Sequence, residues 1–158
     1  MKKTVVWFIL ILLFSTTICS AAVSRDDFAV NGIQLLEDQR TDIIIKIGHS
    51  KKEITDDNRK PPMTYLIYPG IRFGTDNTTK QIVYMQIDTS DYQTKRGITV
   101  GGTNYKVIQE YGEPERQTIK GHRYYIYHLE SDPMCRLIFD MSQGYVSRII
   151  FSRLADIP

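Results

Sequence analysis

The stretch "KRGITVGGTNYKVIQEYGEPE", residues 95–115, decides how the chain is read. Thr103 is a good N-cap, and Val107, Ile108 and Tyr111 fall at helical spacing on one apolar stripe. Gly112 suits the left-handed residue that ends a helix, and Pro114 forbids its continuation. The spacing predicts a short helix set between sharp turns, so that its stripe can lie on a sheet.

The same grammar occurs earlier. "VNGIQLLEDQRTDIIIKIGHSKKEI", residues 30–54, aligns with residues 95–119: Gly32-Ile33 with Gly97-Ile98, and Ile43, Ile44, Ile47 and Gly48 with Val107, Ile108, Tyr111 and Gly112. Strand-like runs follow each segment. The first set is "TYLIY", "IRF" and "QIVYMQID", and the second is "RYYIYHL", "MCRLIFD" and "YVSRIIFS". Gly, Pro, Asn and Asp punctuate these β-branched and aromatic runs, as antiparallel meanders require. The expectation is an α+β fold built as a tandem repeat. Each repeat, 23–90 and 91–158, is a short helical segment followed by a three- to four-stranded meander, with the helices packed on one sheet face.

Gly101-Gly102-Thr103, Val107 and Gly112-Glu113-Pro114 carry a family resemblance. The pattern Gly-x-Thr, a short helix bearing Val, then Gly-x-Pro and a meander resembles the superfamily of small bacterial envelope proteins of the SmpA/OmlA type. The doubled layout is similar to the tandem architecture of β-lactamase inhibitory protein. In the first copy Asp38 stands near the Thr position and Gly48-His49-Ser50 replaces Gly-x-Pro. The resemblance implies a non-enzymatic envelope protein that works by contact with other proteins, and it transfers no contact residue to this chain.

"MKKTVVWFILILLFSTTICSAA" has two lysines, an apolar run from Val5 to Phe14 and then small residues. That is the layout of a cleaved secretory signal peptide, 1–22, and its core is short for a spanning helix of about 20 residues. The expected location is therefore periplasmic or secreted, in a bacterium, with no membrane insertion after cleavage. Lipidation at Cys19 is the alternative; Thr16-Thr17-Ile18 before it lacks the residues a lipobox wants. Losing Lys2 and Lys3 takes the 20 basic residues to 18, equal to the 18 acidic ones. No basic field remains to attract nucleic acid. Cys135, in the apolar run "MCRLIF", reads as a packing residue.

A search for chemistry finds no catalytic residues, no cofactor and no metal centre. His122 and His128 would lie about 20 Å apart along a strand, too far to share one ion. No His-Glu-x-x-His, paired cysteines or nucleophile elbow is present, and "DTSDYQTK", residues 88–95, lacks calcium-loop spacing. "HSKKEITDDNRKPP", residues 49–62, reads as a solvated connector.

Surface recognition remains. Strand alternation puts Val83, Met85 and Ile87 in one row and Cys135, Leu137 and Phe139 in another, both under the helices. The opposite rows carry Arg72, Tyr84 and Gln86, then Arg136, Ile138, Arg148 and Ile150, with Tyr124, Ile126 and His128 beside them. Tyrosine and arginine on one face suit a protein-binding surface, so Arg72, Tyr84, Gln86, Tyr124, His128, Arg136 and Arg148 are the candidate contacts. Two arrangements satisfy the pattern: second faces open to a partner, or packed on one another. The expected function is a non-enzymatic scaffold, inhibitor or immunity-type protein bound to another protein, in an oligomeric state the sequence leaves open. The alternative is a small-ligand carrier or minor hydrolase with its site between the repeats.

Overall fold

The computed structural model describes residues 22–156. The expected signal peptide and Cys19 fall outside the described residues, apart from Ala22. A 3-10 turn, Arg25–Phe28, leads into a hairpin of β1 (Ala29–Val30) and β2 (Ile33–Gln34). Asn31 and Gly32 at its tip both take positive φ, 49° and 74°, as a type I′ turn demands. Helix α1 (Arg40–Ile47) precedes β3 (Lys52–Asp56), β4 (Met63–Tyr68), β5 (Ile71–Asp76) and β6 (Ile82–Ile87). Helix α2 (Asn104–Tyr111) precedes β7 (Glu115–Ile119), β8 (His122–Leu129), β9 (Asp132–Ser142) and β10 (Tyr145–Ser152).

Local signals explain the helix ends. Thr103 Oγ1 accepts from the Lys106 amide at 3.2 Å, and Gly112 closes α2 with φ 78°. The Gly48 carbonyl after α1 accepts the Tyr68 hydroxyl at 2.7 Å, and the Gly112 carbonyl accepts that of Tyr127 at 2.8 Å. Each helix end is thereby tied to a strand of the sheet beneath it.

The sheet corrects the fold expected from sequence. The protein is mostly β, with one eight-stranded antiparallel sheet in the order β3-β4-β5-β6-β10-β9-β8-β7, not an α+β tandem of separate helix-plus-meander units. Strand β10 pairs with β6 through Ile149↔Ile87, Ile150↔Gln86, Phe151↔Met85 and Ser152↔Tyr84. Every residue of β6 is buried. A meander ending on such a strand would leave a buried row of unpaired backbone groups, and pairing with β10 satisfies them.

The sheet has a helix-bearing face and a second face. Against the first, Ile43 of α1 and Val107 and Tyr111 of α2 pack in one cluster with Leu66, Phe73, Met85, Leu137, Phe139 and Phe151. Tyr111 meets Tyr127 and Phe139 with ring centroids 5.4 and 5.5 Å apart. Residues from both halves of the sequence share this single core. On the second face Met63, Val83, Tyr84, Tyr124, Ile126, Ile138, Ile150 and Leu154 form another cluster.

Two further expectations change. Residues 49–62 are not all connector, because β3 lies within them as an edge strand. Val83 leaves the helix-bearing row: a register shift after Gly74 turns it to the second face, while Met85 and Ile87 stay on the first.

Candidate interaction face

The second face gathers the candidate residues because cross-strand register sets them side by side. Arg72 is opposite Gln86, Gly74 opposite Tyr84, and Gln86 opposite Ile150. Gly74 has no side chain, so the Tyr65 and Tyr84 rings close over it edge to face, with centroids 6.0 Å apart and planes at 85°.

Four candidates converge at one place. Arg59, Tyr65, Arg72, Tyr84 and Arg148 surround a recess of about 220 Å³, completed by Gln86 and Leu154. Asp88 is its hub. It accepts from Gln86 Nε2 at 2.6 Å and from Arg148 Nε at 3.3 Å, and lies 3.6 Å from Arg72 Nη2. Tyr84 donates its hydroxyl to Gln86 Oε1. Burial pushes the Tyr84 phenol far above its ordinary range, so it stays a neutral donor. Arg72 and Arg148 keep 43% and 39% of their side chains exposed, so their charge faces solvent at the rim.

The other candidates are elsewhere. Tyr84, Gln86 and Tyr124 are buried, which rules out a fully open sheet face, and among the described residues no second sheet packs on them. Instead the segment after β10 crosses the face: Leu154 packs into its cluster, and Arg136 donates to the Leu154 and Asp156 carbonyls. Arg59 pairs with the Asp156 carboxylate. His128 lies away from the recess, where Nδ1 faces the Pro133 carbonyl at 2.8 Å and Nε2 the Glu115 carboxylate at 2.9 Å. The Gln117 amide, then His128, hold the Glu115 carboxyl below its usual range.

Sequence reasoning missed Asp88 and Arg59. Asp88 reads as the first residue of a polar turn, and nothing local shows that two arginines 16 and 60 residues away by number will meet it. A second depression, about 640 Å³, opens beside the β9–β10 turn and was missed as well. Among the described residues no group of three or more His, Cys, Asp or Glu is placed to hold a metal ion.

No family model matches the chain, and no curated protein matches it in sequence. An extracellular protein containing a SCP domain, from Bacillus anthracis str. Ames, is similar in structure, with TM-score 0.51 at 7% identity. The likeness is one of fold alone. It covers 72% of this chain and 42% of that protein, so this chain spans less than half of its length. A DUF4309 family protein (YjgB) from Bacillus subtilis subsp. subtilis str. 168 has TM-score 0.49 at 13% identity, over 77% of this chain and 82% of that one.

Proposed function

We propose that the chain is exported and acts as a non-enzymatic binding module, a scaffold or an inhibitor or immunity-type protein that grips another protein through the second face of its sheet. The observation that carries this reading is the convergence of Arg72 and Arg148 on Asp88, beside the recess between Tyr65 and Tyr84. A binding hot spot needs guanidinium and aromatic groups held in place before the partner arrives. Here the strands position the side chains and Asp88 draws both guanidinium groups to one place, bonded to Arg148 Nε and 3.6 Å from Arg72, while their exposed edges suit an acidic or carbonyl-rich surface. Tyr84 bonds Gln86 within the recess, while Arg72 and Arg148 meet Asp88 and Arg59 meets Asp156 just outside it, and none of these groups is a nucleophile beside a base. No helix among the described residues is long and apolar enough to cross a membrane.

The test is affinity capture from bacterial envelope extract with the chain from Val23, beside an Arg72→Ala/Arg148→Ala variant shown by circular dichroism to be folded. The reading expects one protein retained stoichiometrically and at least about tenfold less on the variant. Equal retention on both, or none on either, overturns it.

A further inference from the structure

Asp140 stands near the C-terminal end of β9 between Phe139 and Met141, and only 3% of it is exposed. A carboxylate so placed is rarely left without partners. Yet its Oδ1 makes no hydrogen bond. His122 Nδ1 is 3.4 Å away, within ion-pair range but without hydrogen-bond geometry, and that side chain is 62% exposed. The imidazole is stacked on Tyr124, with centroids 6.3 Å apart and planes 25° from parallel. It is thus a largely exposed cover over a buried acceptor, at the wall of the 640 Å³ cleft.

We propose that this cleft is a binding site for a neutral carbohydrate, with Asp140 accepting a ligand hydroxyl and His122, Arg123 and Gln143 at its rim. The volume lies within the range of about 300–1,000 Å³ typical of small-molecule sites. Such sites are usually lined by apolar and aromatic side chains, which suits drug-like or lipid ligands. Here most of the lining residues carry a hydroxyl, amide, imidazole, carboxylate or guanidinium group beside their own aliphatic carbons, with Met141 the one large aliphatic side chain. Charge narrows the class further. An anion meets the Asp140 carboxylate, and a cation meets Arg123 and Arg148. A neutral ligand with many hydroxyls meets neither penalty. Its hydroxyls donate to Asp140 and accept from Arg123, Gln143 and His122, so both kinds of group in the cleft find partners. A small turn of the exposed His122 ring opens Oδ1 to such a hydroxyl. A peptide is the weaker fit, because Asp140 and its neighbours have their backbone committed to the β8–β9–β10 ladders and offer no free strand edge. The cleft and the Asp88 recess are separate depressions that share Arg148 at their border, and the cleft's test variants, Gln143→Ala and Asp140→Asn, leave that arginine in place.

The test is a 15N-edited NMR titration of the chain from Val23 with maltotriose, cellotriose, xylotriose and chitotriose, beside polygalacturonate and spermidine as charged controls. The expected result is saturable shifts from at least one neutral trisaccharide, centred on the amides of His122, Arg123 and residues 142–147. Gln143→Ala and Asp140→Asn should each weaken that binding at least about tenfold. Gln143 lies in an exposed turn, so its variant decides the matter even if Asp140→Asn fails to fold. Absence of saturable shifts with every neutral sugar, binding only of a charged control, or full affinity in Gln143→Ala overturns the assignment.

Discussion

Asp27 and Arg96 form a two-pronged ion pair, with Nε–Oδ1 at 2.8 Å and Nη2–Oδ2 at 2.7 Å, that joins the first turn of the described chain to the segment before α2. Asp27 is 2% exposed. Arg96 also donates to the Glu110 carbonyl at 2.7 Å and lies over the Tyr111 ring, 4.6 Å from its centroid. One guanidinium therefore holds the N-terminal turn and the C-terminal end of α2 against the same core.

Removing one partner of such a pair leaves an uncompensated charge in the interior, and Asp27→Ala should cost about 3 kcal/mol in urea denaturation. Arg96→Lys should cost nearly as much, because an ammonium cannot make the fork. Burial alone would raise the Asp27 carboxyl, but the hydrogen bonds from Arg96 and Ser24 and the Arg96 charge outweigh it and hold the carboxyl below its ordinary value. A folded pKa below the unfolded one means that the contribution is complete above about pH 4 and is lost as pH falls through the folded value. Stability measured from pH 6 downward should fall less steeply for Asp27→Ala than for the parent, and parallel curves would remove Asp27 from the acid transition.

Gly74 is the second position where one atom decides. A Cβ there would stand 2.7 Å from Met63 Cε, 3.0 Å from Tyr84 Cβ and 3.1 Å from Tyr65 Cε1. The methionine end can swing away, but Tyr84 Cβ is fixed to the neighbouring strand. Gly74→Ala should therefore destabilise by about 1–2 kcal/mol through overpacking. It should also weaken the near-ultraviolet dichroism of the Tyr65–Tyr84 pair. An unchanged spectrum with unchanged stability would show that the two rings do not rest on this glycine.

The Cys135 thiol is pushed up to about 11, first by burial and then by Asp132, whose carboxylate lies 3.5 Å from the sulfur. The thiolate is the reactive form, so at pH 8 the native chain from Val23 should label with iodoacetamide at least about a hundredfold more slowly than the urea-unfolded chain. Rapid native labelling would point to an open sulfur and contradict the packing role that its place in "MCRLIF" suggests.

How much of this was legible in the sequence depends on what each strand touches. Strands β4, β8 and β10 stand out because runs of aromatic and aliphatic residues lie between turn residues. Strands β3 and β7 do not, because edge strands exposed on both sides need no apolar row: "KEITD" lies inside the stretch that reads as connector, and "ERQTI" shows no apolar alternation. Their charges serve the edge by discouraging further pairing. The β6–β10 junction was illegible for another reason. "IVYMQI" and "YVSRIIFS" show that both strands are interior, but periodicity carries no information about which interior edges meet. The Asn31-Gly32 hairpin is legible as an Asn-Gly turn, although its short strands of two residues each give little periodicity. Asp140 was legible too, as a carboxylate inside an apolar run, whereas its meeting with His122 depends on the β8–β9 register.

Leu154 tests whether the segment after β10 is a cover for the second face. It is 7% exposed, packs in the cluster with Tyr84, Ile138 and Ile150, and lines the arginine recess. Two arginines hold it: Arg136 through the Leu154 and Asp156 carbonyls, Arg59 through the Asp156 carboxylate. If burial of the leucine is what seats the segment, Leu154→Ala should cost about 2 kcal/mol, the low end for a leucine truncation because the site borders solvent. Asp156 is 60% exposed, so Asp156→Ala should cost no more than about 0.5 kcal/mol, as exposed pairs do. The two losses can be read from urea midpoints at constant m-value. A large loss at Asp156 with none at Leu154 would reverse the assignment, making the segment a charge-held strap over a face that is already closed by its own tyrosines.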